Sequence, residues 1–289
     1  MEISNSPKME VFGGIERHII RNKDGKIKTK VGSGSQHAVS ITMLVLIILT
    51  IYGFCTFDYK DLNFVDASFK TLANLKTVFL EPKASHFTVI EGLYEVLITM
   101  ALAFLTTLIG AVLALIIGLF AAKNLSNVYI SNIIKTFVSF IRAVPTVLWV
   151  LIFAVAAGLG SVAAVIGLSL HSVAYLIKAY SEIYEEVDSG VIEALKASGA
   201  NWWQIVFQAV LPSTATSLLA WTFMRFEINF TNAVAMGAAA GAGGIGFDLF
   251  MAGGFYFDLR AVGIISYLIL AFALLLEIFS TKMKSKYLA

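Results

Sequence analysis

Charge, thiol and proline are all scarce in this sequence. Asp, Glu, Lys and Arg make up 14% of its 289 residues, where soluble domains carry about 25%. That shortage excludes an ordinary soluble domain. Four prolines and a mean hydropathy of +0.82 point the same way. The single cysteine, Cys55, excludes an internal disulfide and any cysteine-based metal site. A net charge of +2 is too small to attract nucleic acid. No His, Asp and Glu cluster has metal-ligand spacing, and no nucleophile–base pair stands out. Neither a resident metal nor an enzyme is expected.

What is present is long and apolar. Ala38 to Phe57 carries no charge, and a run of that length crosses the hydrocarbon core of a bilayer. Five more spans follow, at about 93–122, 132–157, 160–180, 213–236 and 261–279. Their apolar runs are long and do not alternate, so they are helices and not barrel strands. The expected fold is an all-α integral membrane protein with about six transmembrane helices. Residues 1–37 hold seven Lys/Arg, including Arg17, Arg21, Lys23, Lys26, Lys28 and Lys30, and read as a basic cytoplasmic tail. With that tail inside, the inner segments hold fourteen Lys/Arg and the outer ones five, Lys60, Lys70, Lys76, Lys83 and Arg260. Both termini are therefore expected in the cytoplasm.

The chain divides accordingly. The tail (1–37) and first helix (38–57) precede an outer segment at 58–91. A core at 92–283 contains an inner loop at 181–212, and residues 284–289 end the chain. In the outer segment Leu62, Val65, Phe69, Leu72, Leu75 and Phe79 recur at helical steps, and Pro82 follows. This predicts an amphipathic helix on the outer membrane surface or on a neighbouring helix.

The inner loop is too polar to span. Asp188 and Ser189 are N-cap residues, and Glu193 sits where the helix dipole favours an acid. Gly199 fits a helix stop at positive φ. Val191 or Ile192 shares a face with Leu195, which predicts an apolar face left uncovered. Trp202, Trp203, Val206 and Phe207 suit a membrane interface, and Pro212 opens the fifth span at its first turn. The loop predicts a short capped helix that docks a cytoplasmic partner.

Three charges fall inside spans, where they are costly and face a cavity or a partner. Arg225 and Glu227 point to different helix faces. Glu227 is expected to pair with Arg142 in the third span. Arg225, one turn from Asn229, is expected to offer a passing anion a positive site. His171 reads as a satisfied interior histidine.

The run Gly241-Ala242-Gly243-Gly244-Ile245-Gly246 fits the dinucleotide spacing G-x-G-x-x-G. That fingerprint works only after a strand in a βαβ unit, and here the glycines lie between two apolar runs. A P-loop needs Gly-Lys-Ser/Thr, and Phe247 follows Gly246. With Gly253 and Gly254 they predict a re-entrant or tightly packed segment beside the pathway, a gate or a packing device.

Glu193-Ala194-Leu195, Gly199 and Leu211-Pro212 resemble the EAA motif of ABC importer permeases, departing at Leu195 and Ala209. "IRAVPTVLW" (141–149), "EALKASGAN" (193–201), "RFEIN" (225–229) and "GAGGIGFDL" (241–249) resemble the permeases for phosphonate, phosphite and related phosphorus oxyanions. That likeness covers about residues 60–283 and departs at Thr231, where a basic residue is expected. The resemblance implies a type I permease working as a homodimer in the bacterial plasma membrane. The implied partners are two cytoplasmic ATP-binding subunits, which hold ATP and Mg, and an extracytoplasmic substrate-binding protein. The implied coupling residues are Glu193, Ala194, Leu195, Gly199, Leu211 and Pro212. Arg142, Arg225, Glu227 and Asn229 are the expected substrate path. The same architecture serves other solutes such as amino acids. A channel or secondary transporter working without ATP is a rival of another class.

Overall fold

The structure, a computed structural model, describes the backbone of residues 34–57 and 63–287 and the side chains of 37–57 and 63–282. The basic tail falls almost wholly outside the described residues, as do Lys60 and the side chains of the C-terminal segment 284–289. Contacts divide the chain into two units, one ending at Ala67 and the other beginning at Ser68. In the first, α1 (Gly34–Thr56) is an apolar helix of 23 residues, long enough to cross a bilayer.

The regular elements described in the second unit are all helices. α2 (Phe64–Leu80) leads into it as the predicted amphipathic helix. Its Phe69 and Leu72 side chains are exposed. Its C-terminal end is fastened to the start of α10 (Leu259–Tyr287). There Tyr267 donates its hydroxyl to the Phe79 carbonyl at 2.6 Å, and Arg260 pairs with Glu81 at 3.0 Å. α3 (Val89–Ala121) begins at a capping box, in which Thr88 and Glu91 satisfy each other's backbone amides at 3.2 and 2.7 Å. Its small residues Ala103, Thr107, Ala114 and Gly118 are buried and let α6 (Ser161–Glu185) approach closely.

The predicted third span is one continuous run in sequence but not in space. α4 (Val128–Ala143) and α5 (Thr146–Ala157) meet at an 88° bend. Pro145 cannot donate to the helix ladder, and the Trp149 indole N–H instead satisfies the Ile141 carbonyl at 2.9 Å. The described helices thus give five full spans, or six if this bent pair counts as one.

The predicted fifth span also differs. α8 runs unbroken over Trp202–Ala240, 39 residues, or about 58 Å at 1.5 Å per residue. That is roughly twice the hydrocarbon thickness, so part of it projects from the bilayer. Pro212 stands in the first turn of the α-helical stretch Leu211–Ala240, as expected, although the helix already runs up to it from Trp202. A π-turn at Val206–Val210, closed by the Leu211 amide on the Val206 carbonyl, immediately precedes it. The wider turn gives the proline ring room.

Two apolar cores hold the unit together. One joins α3, α4, α6 and the start of α8 around Ile141, Tyr180, Tyr184, Val206 and Val210. The other joins α3, the end of α8, α9 (Ile245–Phe255) and α10 around Val96, Phe230, Met236 and Ile265.

Candidate functional site

Two features stand out in the second unit, a short helix at one end and a buried polar knot at mid-span. The short helix, α7 (Ser189–Ala197), has nine residues and both predicted caps. Asp188 accepts from the Gly190 amide at 2.7 Å. Gly199 has φ +84°, a conformation costly for any residue with a Cβ. A second N-cap, missed in the sequence, follows at once: Asn201 and Gln204 form a capping box that starts α8. The S/T/N-x-x-E/Q spacing could have revealed it.

The face of α7 is less bare than expected. Ile192 is 3% exposed and sits in the first core, with Leu195 packed against it, while Val191 stays exposed. The chain itself therefore covers half of that stripe, and Ile192 anchors α7 in the first core. The tryptophan expectation also splits. Trp202 stacks on Phe120 at 5.6 Å and donates to the Leu125 carbonyl at 2.8 Å, and Val206 is fully buried. Trp203 and Phe207 stack on each other and remain exposed. Beside α7 lies an open groove of about 1090 Å3, and Ala194, Leu195 and Pro212 all line it. Leu211 is half-buried, whereas Glu193 and Gly199 face outward, exposed.

The knot joins α3, α6 and α8. Asn229 is fully buried and donates to Thr107 Oγ1 at 2.7 Å and Ser172 Oγ at 2.8 Å. Arg225, 1% exposed, donates from Nε to Ser172 Oγ at 3.2 Å and from Nη2 to His171 Nδ1 at 3.0 Å. Its guanidinium also lies 4.8 Å from the Tyr175 ring centroid. An arginine at mid-span costs roughly 2.5–3.5 kcal/mol. Two hydrogen bonds to a charged donor contribute roughly 1.5–3 kcal/mol each, and a desolvated cation–π contact about 2 kcal/mol. Neutral partners thus suffice to hold Arg225, which makes no ion pair among the described residues.

The expected pair between Arg142 and Glu227 does not form; among the described residues neither makes an ion pair within 4.0 Å. Arg142 leaves α4 in its last turn, where the helix dipole favours a cation, and reaches the same Tyr175 ring at 5.8 Å. Glu227 points to another face of α8, as the helical step dictates. Arg225 and Asn229 line no open surface of this chain, contrary to expectation. They are clamped inside it because the hydroxyls of Thr107 and Ser172 lie opposite. Those hydroxyls, and Tyr175, went unread in the sequence; two adjacent threonines inside an apolar span were the available signal. Beside the knot a small cavity of about 80 Å3 is lined by Arg142, Tyr175, Lys178 and Trp221.

The glycines act by size and by handedness. Gly241, Gly243 and Gly244 have φ of +61°, +80° and +73° and turn the chain so that α9 folds back along α8. A Cβ on Gly246 would collide with the Val234 carbonyl. The Ile245 amide is held by Thr99 Oγ1 at 3.1 Å. Among the described residues a helix, α8, and not a strand precedes the turn, so the dinucleotide reading fails on geometry as well.

At the end opposite α7, Asp258 starts α10. Its carboxylate accepts from the Arg260 and Ala261 amides at 3.0 and 3.2 Å and faces His86 Nε2 at 3.3 Å. Slight burial works against ionisation. The two amides, the Ser85 hydroxyl and His86 nevertheless hold the carboxyl below its usual value.

Comparison with known proteins places these features in context. A family model described as the binding-protein-dependent transport system inner membrane component matches residues 114–285. A phosphate-import permease of Mycolicibacterium smegmatis is 33% identical over 153 residues, covering 53% of this chain and 29% of that protein. The match therefore spans less than a third of that relative's length. A phosphite transport system permease of Stutzerimonas stutzeri is 32% identical over 190 residues, covering 65% and 68%. Among solved structures, an inward-facing methionine ABC transporter superposes with a TM-score of 0.60 at 21% identity, covering 69% of this chain and 95% of that one. At that identity the likeness concerns the fold.

Proposed function

The chain belongs to the family of binding-protein-dependent transport system inner membrane components, and from that premise we propose that it is the permease of an ATP-driven importer for phosphonate, phosphite or a related phosphorus oxyanion. It works as a pair of copies in the bacterial plasma membrane, with both termini in the cytoplasm. The observation that carries the reading is α7, a doubly capped helix fixed to the bundle with Glu193 exposed. An anchored lever of that kind suits a separate motor. Two cytoplasmic subunits close on ATP and Mg, push α7, and move α8 across the groove that Ala194, Leu195 and Pro212 line. Leu211 transmits the motion to the core and Gly199 keeps the lever's angle. An extracytoplasmic binding protein delivers the anion, and the glycine turn at 241–246 gates the outer end.

The oxyanion assignment rests on the named relatives and on charge. Arg142 and Arg225 present two guanidiniums within the membrane, neither in an ion pair among the described residues, and these attract an anion and repel a cation. The test is uptake by proteoliposomes holding the permease, its ATP-binding subunits and its binding protein. ATP-dependent uptake of labelled methylphosphonate, phosphite or phosphate, with none of methionine, is expected. Uptake of methionine alone, or oxyanion uptake without ATP, would defeat the proposal.

A further inference from the structure

The side chain that meets the anion need not be one of the arginines. Arg225 donates to His171 Nδ1 at 3.0 Å. A guanidinium has donors only, so Nδ1 must accept, the imidazole is neutral, and its proton sits on Nε2. His171 is half-buried, and Nε2 is not among the buried polar atoms that lack a partner. It is therefore a donor set in place and open on one side. His171, Tyr175 and Lys178 follow one another at four and three residues, along one face of α6. Exposure rises along that face, from half-buried His171 and Tyr175 to exposed Lys178. Lys178 is already matched by Glu182 at 2.6 Å. Arg142 faces Tyr175 from α4, and the small cavity opens between them.

We infer that the Nε2–H of His171 hydrogen-bonds the phosphorus oxyanion in transit, so that α6 carries the track and the buried Arg225 acts as a positioning residue. This rests on the oxyanion reading above and deepens it. The site offers a neutral N–H donor beside the Arg225 guanidinium, with Arg142 over the Tyr175 ring one turn along α6. It suits an acceptor-rich tetrahedral anion and rejects the ammonium group of a zwitterionic amino acid.

The complete transporter in proteoliposomes tests this, with labelled methylphosphonate and phosphate as probes and ATP hydrolysis read in parallel. His171→Ala should lower oxyanion uptake by about tenfold. His171→Gln, which restores an amide donor and can still accept from Arg225, should recover much of the loss. Arg225→Lys keeps the charge but releases the ring, so it should lower uptake alone and add little to His171→Ala. Size exclusion of each complex and its ATP hydrolysis check assembly. If the unaltered transporter moves neither oxyanion, this inference falls together with the oxyanion reading. If it moves them and both His171 variants move them within twofold, the reading stands and the inference alone is overturned. Additive losses in the double variant would remove Arg225 from the positioning role.

Discussion

Gly199 and Gly246 are small for different reasons, and the difference sets what their replacement does. Gly199 is exposed and is needed for its φ of +84°. A Val there strains the backbone by roughly 1–3 kcal/mol and tilts the lever without touching the core. The permease should still assemble with its ATP-binding subunits, while ATP-driven oxyanion uptake falls at least about tenfold; uptake per assembled complex decides it. Gly246 is buried and is needed for its missing Cβ. Gly246→Ala meets a carbonyl of α8, which cannot yield as a side chain can, so thermal unfolding in detergent should shift down by roughly 1–3 kcal/mol or more of stability. An unchanged melting temperature would mean that α9 does not pack as described. Both glycines were visible in sequence. Which one obeys handedness and which one obeys contact was not, because Val234 is twelve residues away along the chain.

At the scale of elements, the ends of α7 were legible, though not its covered face, since caps are local. Asp188, Ser189 and Gly199 mark its ends, and Asp188→Ala should remove about 1 kcal/mol of helix stability. Hydrogen exchange at the Gly190 and Val191 amides should then speed about fivefold. The clasp between α2, α10 and the Ser85–His86 turn was not legible, because Glu81 meets Arg260, and His86 meets Asp258, only in three dimensions. Its pH behaviour follows from the carboxyl of Asp258. That group ionises more readily in the folded chain, so its contribution is full above the ordinary value of 3.8 and is lost as pH falls through the lower folded value. Exchange protection around Asp258–Val262 should hold from pH 8 down to pH 5 and loosen only below about pH 4. Loosening between pH 5 and 8 would assign the clasp to another group. The break in the third span went unread: Pro145 was the available signal, but the 88° turn also brings Trp149 back to Ile141, a contact made only in three dimensions.

For the whole molecule, the proposed pathway is shared between two copies. Arg142 and Tyr175 border a cavity of only about 80 Å3, while the groove beside α7 is open. A second copy is the proposed complement, and light scattering of the purified transporter should count two permease chains per particle. A single permease chain per active particle would refute the paired pathway.

The sequence by itself determined the class of this protein. Long uncharged runs need a bilayer, a capped polar loop between them needs a partner, and the residues carrying those signals are neighbours along the chain. Only the tertiary structure decided what the charges do. Arg225 and Asn229 looked free because their partners, Thr107, His171 and Ser172, lie on other helices. An uncompensated charge in an apolar medium takes whatever hydrogen-bonding groups the packing brings within about 3 Å, and no spacing along one helix names those groups in advance.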